Sequence, residues 1–245
     1  MSVSEMLEID ARGLHYKELN ARLREAAGCY SRIDLHNVFG QRYIGTDIHR
    51  PLEIHIYGVP GNDLGSFMDG PRIFVHGNAQ DGVGNTMNSG EVVVHGHAGD
   101  ILALSARGGR IFVRDGVGYR VGIHMKEYQD KRPMVVIGDT AQDFLGEYMA
   151  GGVLLVLGLG ERHHARFIGT GMHGGVIYLR GQVEAHQLGK EVGVAQPDEN
   201  DRKVIEELVR DYCRYFEKDQ QAILSGEFKK LFPLYLRPYG RLYAY

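Results

Sequence analysis

Between Leu52 and Gly181 the apolar residues fall in short, evenly spaced runs: Ile73-Phe74-Val75, Val92-Val93-Val94, Ile111-Phe112-Val113, Val135-Val136-Ile137, Val153 to Leu157 and Val176-Ile177-Tyr178. Each run is rich in β-branched residues and stops at a glycine, which predicts a strand followed by a turn. The closing glycines, Gly58, Gly77, Gly96, Gly116, Gly138, Gly158 and Gly181, recur at intervals of 19, 19, 20, 22, 20 and 23 residues. A second column sits between the runs: Gly65-x-x-Met68, Gly84-x-x-Met87, Gly122-x-x-Met125, Gly146-x-x-Met149 and Gly169-x-x-Met172 hold five of the eight methionines. The one unit that breaks this pattern places Ala103 and Ala106 in the glycine and methionine slots. Self-similarity with a period near 20 residues predicts a solenoid.

A unit of 19 or 20 residues has no room for a crossover helix, since a βαβ unit takes about 30 or more. The chain is therefore read as a coil of parallel strands, each rung bonded to its neighbours at about 4.8 Å. Seven rungs would stand about 34 Å tall on that spacing. The narrow interior wants one adaptable side chain per rung, which suits methionine. The glycine three residues earlier permits a corner with positive φ or close approach to the next rung. Antiparallel hairpins in a sandwich would not require methionine at a fixed register.

The flanks read differently. Residues 1–31 form a helical lead-in with one clear helix, roughly His15 to Ala27, stopped at Gly28. The stretch Ser31 to Arg50 is irregular, although Gly45-x-x-Ile48 resembles a degenerate first unit, and the repeat region is placed at 32–196. Residues 197–245 make a C-terminal helical segment and tail. Asp198 to Asp201 supply acids for a helix start, Val204, Ile205, Leu208, Val209, Tyr212 and Phe216 follow at helical spacing, and a second helix is expected near Gln220 to Leu231. The tail alternates Tyr235, Arg237, Tyr239, Arg241, Tyr243 and Tyr245. This segment is expected to cap an open end of the coil or to lie along one face. Two charged insertions, 126–132 and 161–164, are expected as surface loops open to partners.

Composition narrows the function. Glycine makes up 34 of 245 residues, about twice the usual share of roughly 7%, and its periodicity marks turn geometry. A formal net charge of -3 leaves no broad basic field for nucleic acid. Cys29 and Cys213 stand apart and form no CxxC, so no cysteine-held metal site or disulfide framework is implied, and a reducing cytoplasm fits. No apolar stretch at the start resembles a signal peptide, and no membrane span is expected.

Candidate chemistry is sparse. Gly169-Thr170-Gly171-Met172-His173-Gly174 satisfies GxGxxG, but a strand follows where a dinucleotide site needs a helix. His76 and His95 precede their closing glycines and Asp115 precedes the next one, so the three could stack as an outer column. Two imidazoles and a carboxylate could hold a metal, and an exposed polar ladder is the simpler reading. His163-His164 lie in a loop insertion. Asp139, Asp143 and Glu147 could cluster, without the marks of a catalytic pair. The basic, tyrosine-rich tail could stack on bases, or more simply dock on the coil.

The run Gly77 to Gly96, with its echoes Gly146 to Gly152 and Gly169 to Gly175, resembles the GXGXG domain, the C-terminal β-helix domain of the glutamate synthase large subunit. The similarity covers about residues 52–190, and the ending Phe232-Pro233-Leu234-Tyr235 is compatible with it. The resemblance implies a mainly β fold: a single-stranded right-handed parallel β-helix of about seven coils, flanked by N- and C-terminal helices. In that family glutaminase, flavin and iron–sulfur chemistry belong to other domains, and the β-helix holds them in relation to one another. It therefore implies a non-catalytic, cytoplasmic subunit in glutamate biosynthesis and nitrogen metabolism. Its partners would be an FMN-binding synthase subunit and a glutamine amidotransferase subunit, as in a split glutamate synthase or N-methylglutamate synthase. The chain itself would carry no cofactor, with FMN and iron–sulfur in the partners; a homo-oligomer stays open. The repeat positions Gly65, Met68, Gly84, Met87, Gly122, Met125, Gly146, Met149, Gly169 and Met172 are structural in this reading, with no catalytic, cofactor or metal residues assigned. The β-helix component of formylmethanofuran dehydrogenase, its C subunit, has similar repeats, and a carbohydrate-active β-helix enzyme would need a row of acids along one face that is not found.

Met87→Asp is expected to unfold the coil, because a charge would enter a dry interior. A variant with the wild-type melting temperature would place Met87 outside.

Overall fold

The computed structural model describes residues 4–235. Its framework is one sheet of eleven strands: β1 (Ser4–Asp10), β2 (Tyr30–Phe39), β3 (Glu53–Val59), β4 (Asp69–Val75), β5 (Ser89–Val94), β6 (Arg110–Val113), β7 (Met134–Ile137), β8 (Ala150–Val156), β9 (Gly174–Arg180), β10 (Val192–Ala195) and β11 (Phe228–Pro233). Strands β1 to β9 stack in chain order, every pair parallel. The protein is thus a parallel β-solenoid of about seven turns, with helices at its flanks.

Only one wall is regular sheet. The remaining circuit of each turn is a corner in which three alternate residues take left-handed φ: Asp63, Gly65 and Phe67 at +61°, +65° and +58°, and Gly82, Gly84 and Thr86 at +73°, +68° and +52°. The central residue donates its N–H one rung back, Gly84 to the Leu64 carbonyl at 2.8 Å. Its flanking residues donate one rung on, Gly82 to Asp100 at 2.9 Å and Thr86 to Leu104 at 2.8 Å. The same alternation recurs at Ile101/Ala103/Ser105, Arg120/Gly122/His124 and Phe144/Gly146/Tyr148, so corners without strand geometry still satisfy their backbone groups.

The central slot is glycine for two reasons. A β-carbon on Gly84 would sit 2.4 Å from Ile111 Cδ1, and the left-handed conformation costs an L-residue roughly 1–2 kcal/mol. Met68, Met87, Met125, Met149 and Met172 are all buried at 0–1% exposure. The thioether methyls of Met68, Met87, Met125 and Met149 rest against Gly90, Gly109, Gly152 and Gly175, where a β-carbon would lie 3.2, 2.3, 2.9 and 2.5 Å from them. At the exceptional turn Ala103 and Ala106 are also buried, and Ala103 holds the left-handed slot at +59°. The register explains how: Val135 stands beside Ile111 and Leu154 on neighbouring strands, lacking the terminal carbon that meets Gly84 from Ile111.

Several flanking elements differ from the sequence reading. The lead-in contains α1 (Tyr16–Ala26), which packs Leu19, Leu23 and Ala26 into the core. It also contains β1, paired along β2, although its residues SEMLEID carry little strand signal. Strand β2 and the buried Ile44 and Ile48 show that the stretch 31–50 already belongs to the coil. At the other end α2 (Glu199–Phe216) lies along the outer face of the sheet. The second C-terminal helix is only α3 (Gln220–Leu224); Phe228 to Pro233 form β11 instead, antiparallel to both β9 and β10. The segment therefore covers a face and closes an end. Arg237, Tyr239, Arg241, Tyr243 and Tyr245 lie outside the described residues.

Val135→Ile alone is expected to lower stability by about 1–3 kcal/mol through overpacking against Ala103. Adding Ala103→Gly should recover most of that loss, and additive effects in a thermal-melt double-mutant cycle would disprove the contact.

Candidate functional site

On strands β5 to β9 both faces are apolar. Val92, Ile111, Val135, Leu154 and Ile177 point into the coil, while Val93, Phe112, Val136, Leu155 and Tyr178 meet Ile205, Leu208, Val209, Tyr212 and Phe216 of α2. Continuous apolar runs from β4 onward, against alternating ones in β2 and β3, are the sequence signal for how far the helix reaches. Polar anchors fix α2 in place: the Tyr212 hydroxyl donates to the Arg114 carbonyl at 2.8 Å, Tyr178 to Asp201 at 2.6 Å, and Arg110 pairs with Asp211 at 2.7 Å.

One register carries alternating charge across five strands, Arg32, Glu53, Arg72, Glu91 and Arg110. Arg72 reaches Glu53 at 3.5 Å and Glu91 at 3.2 Å, and Tyr215 of α2 donates to Glu91 at 2.6 Å. A groove of about 900 Å³ opens here, between the starts of β4 to β6, α2 and the 126–132 loop. Its guanidiniums are matched: Arg72 and Arg110 as above, Arg210 with Asp211 at 3.4 Å, and Arg132 with Glu127 at 3.1 Å.

Along the outer side of strands β2 to β5 runs a ladder of rings that ends against the last turn of α2. His36 stacks on Tyr57 at 4.8 Å, Tyr57 on His76 at 4.6 Å, and His76 on His95 at 5.5 Å, with Phe216 edge-on to His95 at 5.1 Å. His55 donates from Nε2 to Glu53 at 2.7 Å, so in the neutral state its Nδ1 accepts from His76 Nε2 at 2.9 Å. The expected third member of the column is not Asp115. The register Val94↔Val113 puts Arg114 beside His95, because the β6 turn reaches its closing glycine one residue later. Asp115 pairs with Arg114 at 2.9 Å and lies 3.8 Å from His97. No group of three or more His, Cys, Asp or Glu among the described residues could hold a metal ion.

The other candidates are dispersed. Asp139 accepts from the backbone of Gly160 and Glu161, Asp143 from that of Arg166, and Glu147 pairs with Arg120 at 2.6 Å, so the three acids form no cluster. His163 donates Nε2–H to the Arg180 carbonyl at 2.8 Å, and His164 lies 3.2 Å from Gln142 Oε1. Gly169 and Gly171 are two left-handed residues of a corner leading into β9. Cys29 is exposed, Cys213 is buried, and both are free. No described helix is long and apolar enough to cross a membrane.

A family model described as "GXGXG motif" matches residues 29–237, from the start of β2 through the closing strand. The chain belongs to the GXGXG motif family. This family includes the C-terminal domain of the large subunit of glutamate synthase. An uncharacterized protein of Methanocaldococcus jannaschii is 47% identical over 257 residues, covering 100% of this chain and 98% of the relative. The spacing that gives the GXGXG family its name matches the corner geometry, since three glycines at alternate positions fit three alternate left-handed residues. Here the outer slots also admit other residues, among them Tyr43, Phe67, Phe144, Tyr148 and Phe167.

Burial lowers the His76 pKa, assisted by His55 and His95, and burial with the Arg114 guanidinium lowers that of His95. The unfolded chain therefore binds protons first on acidification, and stability falls as pH drops through about 6.5 towards the folded values. The melting temperature is expected to be lower at pH 5.5 than at 7.5. His76→Gln with His95→Gln should flatten that slope, and an unchanged slope would exclude the ladder as its origin.

Proposed function

We propose that this chain is a non-catalytic assembly subunit of a multi-subunit glutamate synthase-like, or N-methylglutamate synthase-like, oxidoreductase. The observation that carries this reading is the extent of the family match, which takes in the coil, the covering helix and the closing strand as one unit. In glutamate synthase the corresponding domain is a structural element. The titratable groups that invited a catalytic reading support the same view, being engaged in holding loops, rungs and α2 together. On this reading an FMN-binding synthase subunit and a glutamine amidotransferase subunit supply the cofactors and the chemistry. The solenoid supplies a rigid spacer, because each rung is bonded to the next on the sheet wall and at the corner.

Tagged chain recovered from its native cells is expected to bring down a flavin-containing subunit and an amidotransferase. Alone it should show no flavin absorbance and no glutamine hydrolysis. Flavin absorbance or glutaminase activity in the isolated chain, or recovery with a molybdenum or tungsten enzyme instead, would overturn the assignment.

A further inference from the structure

On five turns the chain runs from its closing glycine to the next corner in six to eight residues, but from Gly158 to Gly169 it takes eleven. On a repeat scaffold an insertion of this kind is where a binding face is often built. The added residues, 161–164, wall off a cavity of about 590 Å³ beside the ends of β8 and β9. Part of its floor is bare backbone. A β-carbon on Gly181, where φ is +106°, would have the His163 Nε2 as its nearest atom at 4.0 Å, so the space over this glycine is free.

Three groups at the cavity are without a partner. The His163 ring is half-buried, and its Nε2 lies 2.8 Å from the Arg180 carbonyl, an atom that can only accept. Nε2 therefore carries the ring proton, which leaves Nδ1 an acceptor. Burial lowers the pKa of this ring and keeps it neutral at pH 7. No described group donates to Nδ1, and the atom is not sealed in the interior. The Glu161 carboxylate and the Arg162 guanidinium line the same cavity and have no partner among the described residues. The other charges of the lining are engaged: Arg180 donates from Nε to the Ile223 carbonyl at 2.9 Å, and Glu184 forms a reciprocal capping box with Gln187. Asp139, behind the loop, accepts from the N–H groups of Gly160 and Glu161. The lining thus carries two cations and two anions, and one of each is free.

We propose that this cavity binds a free α-amino acid, with its carboxylate on Arg162 and its ammonium shared by Glu161 and His163 Nδ1. A simple anion would satisfy Arg162 and leave Glu161 and the Nδ1 lone pair unmatched. A metal cation would be opposed by Arg162 and Arg180. A zwitterion meets all three groups at once, since the guanidinium fork suits a carboxylate and an ammonium has only protons to donate. The cavity also falls within the roughly 300–1,000 Å³ of small-molecule sites. This adds a ligand site to a chain read as an assembly subunit, and it stands or falls independently of that reading.

The test titrates the purified full-length chain near neutral pH with each proteinogenic L-amino acid, by isothermal calorimetry and by thermal melting. At least one is expected to bind with a saturating isotherm and to raise the melting temperature. Arg162→Gln and Glu161→Gln, both on an exposed loop, should each weaken that binding at least tenfold while melting like wild type in the absence of ligand. The same compound without its amino group, or without its carboxylate, should bind wild type at least tenfold more weakly. Failure of every amino acid to bind would overturn the proposal, as would undiminished affinity in the two variants. Equal affinity for the deaminated acid would reassign the cavity to simple anions and overturn it as well. None of these outcomes touches the recovery of a flavin-containing subunit, which tests the assembly role separately.

Discussion

Each turn of the coil must leave one strand, cross a narrow interior and enter the next strand one rung higher without stranding its amides. Three alternating left-handed residues solve this, because they point successive N–H groups up and down the stack instead of sideways into solvent. Gly84 bonds backwards while Gly82 and Thr86 bond forwards, so the corner is a ladder in its own right. Much else is set by it. The central slot excludes a β-carbon wherever Ile111, Leu154 or Ile177 approaches, and methionine three residues on reaches a glycine at the entry to a later strand. Both restrictions recur once per turn, which is why they surface as columns in the sequence.

A period near 20 residues is legible without knowledge of contacts, and it excludes crossover helices by length alone. Positions tied to glycine are conspicuous because few residues substitute for it; Ala103 is the exception, holding the same left-handed slot at +59°. Other features carry weaker marks. Strand β1 is polar and sits at an edge, and β11 follows a short helix whose pattern runs on into it. Alignment on the closing glycine misplaces Asp115, since one added residue before Gly116 shifts the outward position to Arg114. The rings in the outer corner slots are hidden in the sequence because they read as exposed loop positions until the φ angles are known.

The two outer regions of the sheet show how one backbone hosts different surfaces. Where the outward residues are Val93, Phe112, Val136 and Leu155, an amphipathic helix is recruited and sealed by Tyr212 and Asp211. Where they are Asp34 and His55, stacked rings with alternating charges hold the rungs in register, and Phe74 marks the boundary, stacked on His55 and edge-on to Tyr215 of α2. A slip of one rung's pairing by one residue would turn its polar row inward, so this pattern specifies the stack as firmly as the interior does.

A pile of similar storeys has no intrinsic reason to stop. The last parallel storey, β9, is bonded to β11 running the opposite way, and among the described residues the four-residue β10 is the strand beyond it. An incoming molecule's first strand therefore meets a brief landing instead of a matching seven-residue template. Reversal of that one strand replaces the parallel template with a short antiparallel edge, a termination that works against the head-to-tail stacking repeat architecture invites.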